Sequence, residues 1–270
     1  MRYGALALVA ALTVIVPPSA SAIVVRHDAA PSLYRADPAG FPALTDLPES
    51  GHGVLIAPQW VVTVAHAVSG QQDSMRSVSI GGQDREVAQI IVHPDYAPPP
   101  GPGPDGSIKP IMDASREMRD IALVRLAQPV KGIDPADLYF GDVATSETVA
   151  IIGKGRGGTG VDGAARYLPQ RGVLRRASNR VETAEARWIS YRFDKGEPAL
   201  PDEGSIGAGD SGGPVLVERG GKWQVVALAS WTYWDGAPED YVPGRYGVLT
   251  NHTRLAAYRG WIEGVTGIAF

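Results

Sequence analysis

The stretch "GAGDSGGPVLV" (207–217) places one serine, Ser211, among four glycines and puts Asp210 directly before it. Neighbouring side chains along an extended segment point to opposite sides, so Asp210 is poorly placed to activate Ser211. A serine hydroxyl becomes a good nucleophile when an imidazole accepts its proton and a carboxylate orients that imidazole. The residues after the serine decide the fold, because "PVLV" predicts a strand at this point and not a helix.

Two other segments contain the groups that Ser211 needs. "TVAHAV" (63–68) places His66 at the end of a predicted strand, and "DIALVRL" (120–126) places Asp120 at the start of another. A single histidine is more often structural than catalytic, and an aspartate before a strand is usually a turn or cap residue. The three residues together predict a nucleophile, a general base and an orienting carboxylate.

Residues 1–22 have the pattern of an export signal, with Arg2 near the start, an apolar run over 5–16 and then "PPSASA". The apolar run is too short to span a bilayer. We therefore expect cleavage after Ala22, a mature chain beginning at Ile23, and a secreted protein, extracellular or periplasmic, with no membrane span after the signal is removed.

Composition excludes several function classes. The formal charge of the 270-residue chain is −4, which gives no indication of nucleic-acid binding. The chain has no cysteine, so neither disulfides nor thiolate zinc sites can form, and its five histidines do not form an HExxH pattern. We expect no metal and no cofactor, and a monomer that acts on a protein or peptide.

Short branched and apolar segments, bounded by turn residues, predict strands along most of the chain. They are "HGVLIA", "WVVTVAHAV", "SVSIGG", "REVAQIIVH" and "DIALVRL" in the first half, and "ETVAIIG", "RWISYRF", "GPVLVE", "KWQVVALASW" and "YGVLTN" in the second. Many short strands at close spacing favour barrels or a sandwich. The segment 96–110 is too rich in proline and glycine for regular structure. One helix is predicted, over about 253–266, with a shared face formed by Leu255, Tyr258, Ile262 and Val265.

The segments around His66, Asp120 and Ser211 resemble the three signature segments of trypsin/chymotrypsin-like serine peptidases, in the same chain order. "LIAPQWVVTVAHAV", "ASWTYW" and the C-terminal helix extend the resemblance over essentially all of 23–270. It implies an all-β fold of two antiparallel six-stranded β-barrels with a C-terminal helix. Residues 23–138 would form the barrel with His66 and Asp120, and residues 139–270 the barrel with Ser211.

The resemblance also implies roles for the residues around the nucleophile. The backbone N–H groups of Gly209 and Ser211 would form the oxyanion hole. The ammonium group of Ile23 would fold inward after signal removal and pair with Asp210, which answers why a carboxylate precedes the serine. Ser230 would lie beside Asp120 and support it.

The same resemblance places the specificity pocket. Ser205 would form its floor, between walls of Trp231 and Thr232 on one side and Gly247 on the other. A buried lysine or arginine side chain needs a counter-charge, which Ser205 cannot provide. Thr232 would narrow the entrance. We therefore expect cleavage after small or medium uncharged residues.

Other interpretations remain open at the level of the sequence. "GDSGG" also satisfies the G-x-S-x-G nucleophile elbow of α/β-hydrolase esterases, where Asp235 or Asp240 and then His252 would complete the order; that elbow must lead into a helix. "GKGRGG" (153–158) matches a dinucleotide-binding pattern but is followed by a poor helix start, which favours a turn-rich loop. A relative with the same barrels could also serve only for binding.

Overall fold

Strands dominate the computed structural model, which describes residues 22–165 and 172–270. The predicted signal therefore lies, up to residue 21, outside the described residues. The strands are β1 Val24–Val25, β2 Leu44–Asp46, β3 His52–Ala57, β4 Trp60–Thr63, β5 Ser77–Ile80, β6 Gln83–Val92, β7 Ala122–Leu126, β8 Thr148–Gly153, β9 Gly158–Thr159, β10 Gly163–Ala164, β11 Arg175–Arg180, β12 Thr183–Ala184, β13 Trp188–Arg192, β14 Gly204–Ser205, β15 Pro214–Arg219, β16 Lys222–Tyr233 and β17 Leu249–Arg254. The helices are α1 Lys109–Glu117 and α2 Arg259–Thr266, and 3₁₀ turns lie at Pro31–Tyr34, Pro38–Gly40, Ala65–Ala67, Pro238–Asp240 and Leu255–Tyr258.

The first half forms a closed six-stranded barrel in the order β2-β3-β4-β7-β6-β5, with antiparallel neighbours throughout. Its strands are branched and apolar, and β3 is buried along its whole length. Thr63 at the end of β4 is paired with Ala122 near the start of β7. This register brings the residues after β4 and before β7 to the same rim of the barrel.

The second half is an antiparallel sheet of seven strands, in the order β11-β8-β15-β16-β17-β13-β12. A smaller sheet of order β10-β9-β1-β14 lies beside it, and an isolated bridge between Ser178 and Glu203 links the two sheets. The predicted all-β fold is confirmed, with one difference from the expected six-stranded second barrel: within the described ranges the hydrogen-bonded order of this sheet is open.

The elements that follow Ser211 and the segment 153–158 exclude two of the alternatives. β15 begins at Pro214 and pairs with β16, so the serine is followed by a strand where an α/β-hydrolase elbow requires a helix. The segment 153–158 leads from β8 into the short strand β9 and not into a helix. The dinucleotide-binding interpretation is therefore excluded, and the loop interpretation holds.

The C-terminal helix is present but begins later than predicted. α2 ends at Thr266 as expected, whereas 253–254 still belong to β17 and 255–258 form a 3₁₀ turn. The predicted face is correct, because Leu255, Tyr258 and Ile262 are buried in the same core cluster as the first barrel, with Val265 packed against it.

Helix α1 was not predicted. It begins inside the segment that was expected to lack regular structure, with Pro110 in its first turn, where proline is tolerated because its missing N–H has no partner there anyway. Met112 is buried, and Trp188 donates to the main-chain oxygen of Arg116 at 2.9 Å. These contacts hold the helix against the second half of the chain.

Over the ranges that the structure describes, no helix is both long and apolar enough to cross a membrane.

Candidate active site

His66 lies on the 3₁₀ turn after β4, where two hydrogen bonds fix it to Asp120. The backbone N–H of His66 donates to Oδ1 of Asp120 at 2.9 Å, and its ring Nδ1 lies 2.8 Å from Oδ2. Since a carboxylate only accepts, Nδ1 bears the proton and Nε2 is left as an acceptor. Nε2 lies 2.8 Å from Oγ of Ser211. The three residues predicted from separate segments are therefore brought together.

Asp120 is fully buried at the inner end of this chain of contacts. Burial alone would raise the pKa of its carboxyl, but the charge of His66 and hydrogen bonds from His66 and Ser230 lower the pKa below its usual range. Oγ of Ser230 lies 2.5 Å from Oδ2, and Oγ1 of Thr253 donates to the main-chain oxygen of Asp120 at 2.9 Å. The carboxylate is thus held ionised in one orientation.

The charge of Asp120 acts in turn on His66. Burial lowers the pKa of the imidazole, while the Coulomb attraction and the hydrogen bond of Asp120 raise it, and the net direction is upward. The ring therefore accepts a proton more readily than an isolated histidine.

The loop around Ser211 depends on glycines at two places. Gly209 has a φ of 94°, which a side chain rarely permits, and a Cβ on Gly212 would come within 2.0 Å of the main-chain oxygen of His52. The N–H of His52 donates to the main-chain oxygen of Ser211 at 2.7 Å. Across 22–165 and 172–270, the N–H groups of Gly209 and Ser211 have no protein acceptor.

Asp210 points away from Ser211 into a fully buried site. Its carboxylate accepts from the N–H of Gly155 at 2.7 Å and from that of Gly207 at 2.8 Å, with a further hydrogen bond from the backbone of Ile23. Burial raises the pKa of Asp210, and these bonds and nearby His52 only partly oppose that rise. A Cβ on Gly153 would lie 2.0 Å from Oδ1 and one on Gly155 2.7 Å from it, which gives these two glycines of "GKGRGG" a structural reason.

Ile23 lies at Asp210 as part of an intact peptide bond with Ala22. Both residues are fully buried, and Ile23 has a φ of 57°, which is strained for a branched residue. The group that reaches Asp210 is an amide and not an ammonium ion, so the predicted ion pair itself stays a prediction.

The residues of the predicted pocket floor lie on β14 and its neighbours. Ser205 is fully buried, and its Oγ lies 2.9 Å from Oγ1 of Thr250. Burial raises the pKa of the neighbouring phenol of Tyr191 above its usual value. Glu203 accepts from two backbone N–H groups, those of Asp194 and Leu200, at 2.7 Å each.

The predicted walls of the pocket lie on β16 and before β17. Oγ1 of Thr232 lies 2.5 Å from the hydroxyl of Tyr241. The ring of Trp231 packs edge to face on Trp188, with 5.7 Å between the ring centroids. Gly247 has a φ of 88°, and a Cβ there would be 3.4 Å from the ring of Trp234.

His252, the base of the esterase alternative, is placed elsewhere. It is fully buried, its ring centroid lies 4.6 Å from that of Tyr191, and burial lowers its pKa to about 3. Its ring nitrogens have no hydrogen-bond partner in the part of the chain that the structure describes. Asp235 pairs instead with Arg192 at 3.5 Å.

The sequence analysis did not identify several residues that contact the candidate site. No local pattern marks Thr253, Gly155, His52 and Tyr191, whose contacts are distant in sequence, or Tyr241, which contacts Thr232 nine residues away. The described ranges contain no group of three or more histidine, aspartate or glutamate side chains arranged to hold a metal ion.

Comparison with known proteins agrees with this geometry. The Trypsin family profile matches residues 34–262. The chain is 27% identical over 231 residues to "Trypsin" of Phaedon cochleariae, which covers 80% of this chain and 78% of that protein. It is 27% identical over 227 residues to human "Transmembrane protease serine 11B" (79% of this chain, 49% of that protein) and 29% identical over 241 residues to the "Calcium-dependent serine proteinase" of Mesocricetus auratus (80% and 32%).

The chain thus spans about half or less of the length of the last two relatives, but most of the length of the first. The family match extends over more than half of this chain and includes the segments with His66, Asp120 and Ser211. The chain belongs to the trypsin family of serine endopeptidases.

Proposed function

We propose that this protein is a secreted endopeptidase that cleaves peptide bonds through an acyl-enzyme on Ser211. The observation that carries the proposal is the chain of 2.8 Å contacts from Ser211 Oγ through His66 to Asp120. Oγ attacks the substrate carbonyl while Nε2 of His66 takes its proton, and the charge of Asp120 stabilises the imidazolium. The imidazolium then gives the proton to the leaving amine, and water hydrolyses the ester by the same route.

The negative oxygen of the tetrahedral intermediate needs preorganised donors. The N–H groups of Gly209 and Ser211 are the donors we assign, because they lie beside the nucleophile and have no acceptor among the described residues. The positive φ of Gly209 supports this assignment, since it turns the backbone at that point.

Activation would follow from signal removal. Asp210 is buried, its carboxylate accepts hydrogen bonds from three backbone N–H groups, and burial raises its pKa. Cleavage after Ala22 would turn the Ile23 amide into an ammonium ion next to this carboxylate. Breaking a buried ion pair typically costs about 3–5 kcal/mol, so the new ion pair would stabilise the arrangement of the loop that contains Gly209 and Ser211.

The specificity pocket would accept small or medium uncharged side chains. Ser205 offers only a hydroxyl, which is already bonded to Thr250, and the carboxylate of Glu203 is bonded to backbone N–H groups. The pair of Thr232 and Tyr241 fixes a branched side chain at the wall of the pocket. Tyr241 therefore joins Thr232 as a residue that sets the width of the entrance.

Loss of the nucleophile or base should abolish the chemistry. We expect Ser211→Ala and His66→Ala each to lower kcat for peptide hydrolysis by at least about 10³-fold, because the residues act as a unit. An organophosphonate probe should label Ser211 in the mature protein but not in either variant. The control is His252→Leu, which should keep activity and labelling. Loss of activity in His252→Leu with near-normal activity in His66→Ala would contradict the proposal. A folded mature protein that the probe does not label would favour a binding role.

The pH profile should report on His66. The base must be neutral, and Asp120 raises the pKa of its imidazole above the usual value of about 6.5. Activity should therefore be lost as the pH falls through an inflection above about 6.5 in kcat/KM. Asp120→Asn should move this inflection to lower pH and reduce kcat, whereas Asp113→Asn, at an exposed ion pair on α1, should change neither. An inflection that stays in place in Asp120→Asn would argue against this assignment.

The new N-terminus should control activity. Sequencing of the exported protein should give "IVVRHD", and a methionine retained before Ile23 should lower kcat/KM by about tenfold or more, because the ammonium is displaced from Asp210. A methionine added after Phe270 serves as the control and should leave kcat/KM unchanged. Full activity with the extra N-terminal residue would refute the proposed ion pair.

A fluorogenic peptide library should show cleavage after residues such as alanine, valine or leucine. Thr232→Gly should extend the profile toward phenylalanine and tyrosine, because it removes the branched side chain from the wall. The same substitution at exposed Thr148 should leave the profile unchanged. Dominant cleavage after arginine or lysine by the unmodified protein would overturn the pocket assignment.

A further inference from the structure

A cavity of about 410 Å³ lies between the segment 35–41 and the strands β8, β11, β15 and β16. Its lining includes four buried apolar side chains from both halves of the chain: Phe41, Ile152, Leu174 and Leu216. This volume falls within the usual range of small-ligand sites, about 300–1,000 Å³. None of the lining residues belongs to the active site described above.

Two arginines of this cavity have no acidic partner. Arg35 and Arg176 both line it, and neither forms an ion pair with any residue in the described ranges. The guanidinium of Arg176 lies 4.2 Å from the ring centroid of Trp223, and its Nε is buried without a hydrogen-bond partner. A donor that is buried and unsatisfied normally costs stability, so an acceptor bound beside Arg176 would be favourable.

One carboxylate also lines the cavity. Oδ1 of Asp37 accepts the N–H of Ala39 at 2.9 Å and so caps a 3₁₀ turn. With two guanidinium groups against one carboxylate, the ionisable lining has a net charge of about +1 at neutral pH. An anionic group is therefore the complementary occupant.

Among the described residues, two of the four other stacked arginines bind a carboxylate, which Arg176 does not, whereas Arg116 and Arg125 resemble Arg176 in having only the ring. Arg219 lies 4.5 Å from the ring centroid of Tyr139 and bonds to the carboxylate of Glu147 at 2.5 Å. Arg259 lies 5.1 Å from the ring centroid of Phe140 and bonds to Glu263 at 2.9 Å. In both, an aromatic ring supports one face of the guanidinium while its edge binds a carboxylate. Arg176 has the ring but not the carboxylate.

We propose that this cavity binds the C-terminal carboxylate of a peptide that ends in an apolar residue. Arg35 and Arg176 bind the carboxylate, since the planar guanidinium matches its two oxygens. The apolar side chain of the last residue packs against Phe41, Leu174 and Leu216. A peptide fits better than a bare inorganic anion because most of the lining is apolar. The proposal does not involve Ser211 and stands independently of the proposed catalytic function.

Calorimetric titration tests the proposal with a defined ligand. The protein is the full chain with Ser211→Ala, which prevents turnover, and the probes are acetyl-Ala-Leu with a free carboxylate and its C-terminal amide. We expect the acid to bind at least about tenfold more tightly than the amide, because charge-assisted hydrogen bonds are lost in the amide. Equal affinity for the two would overturn the proposal, and so would tighter binding of octanoate, which would indicate a fatty-acid site.

Matched variants locate the binding. Arg35→Gln with Arg176→Gln should weaken binding of the acid by about tenfold or more, while Asp37→Asn should strengthen it because a repelling charge is removed and the cap is kept. Arg125→Gln alters another stacked arginine, 5.9 Å from the ring of Trp60, and should have no effect. Unchanged binding in the double variant would assign the peptide to another site and overturn the proposal.

A second measurement covers the case in which the double variant fails to fold. Binding of the acid should change the fluorescence of Trp223 in the protein with Arg35 and Arg176 intact, and Trp223→Phe should remove this change while binding is still seen by calorimetry. Binding without any such signal would overturn the proposed location.

Discussion

The buried carboxylate of Asp210 is the constraint on which the rest of the structure depends. Nothing in the active site uses its charge, yet three segments far apart in sequence bring backbone donors to it: Ile23, Gly155 and Gly207. A buried carboxylate left without donors is strongly destabilising. The need for donors thus defines the path of the chain before β1, and the space that the carboxylate occupies excludes a side chain at Gly153. Because Asp210 points inward, the neighbouring Ser211 points to the opposite side.

Two buried aspartates in this molecule have opposite electrostatic environments. Asp120 is buried, but the charge of His66 and the hydroxyl of Ser230 lower its pKa, so it keeps its negative charge. Asp210 is equally buried but is contacted mainly by neutral amides, and its pKa is raised. The first environment is complete as it stands. The environment of Asp210 would be stabilised by a nearby positive charge such as the ammonium group of Ile23. This is the physical basis for the activation step proposed above.

Local sequence patterns located the three residues of the proposed triad and the all-β fold, but not every element of the architecture around them. His66, Asp120 and Ser211 lie in short patterns that indicate their chemistry, and the strands around them lie where the branched apolar segments predict. Helix α1 was missed because the proline and glycine content before it dominates the local signal, although Met112 has a buried position to fill. The start of α2 was misplaced because Thr253 and Arg254 pair in β17, which is a non-local preference. The role of Gly153 and Gly155 could not be predicted from the sequence, because the atom that they approach, Oδ1 of Asp210, is more than fifty residues away.

The hydrogen bond from the N–H of His52 to the main-chain oxygen of Ser211 joins the first strand pair of the barrel directly to the nucleophile loop. Gly212 packs against the same backbone so closely that a Cβ has no space. An opening of the loop therefore also breaks a contact with β3, which is buried along its length, and this coupling should slow the exchange of the loop amides with solvent. With no disulfide to hold the halves together, this shared backbone contact makes the loop part of the same cooperative unfolding unit as the barrel.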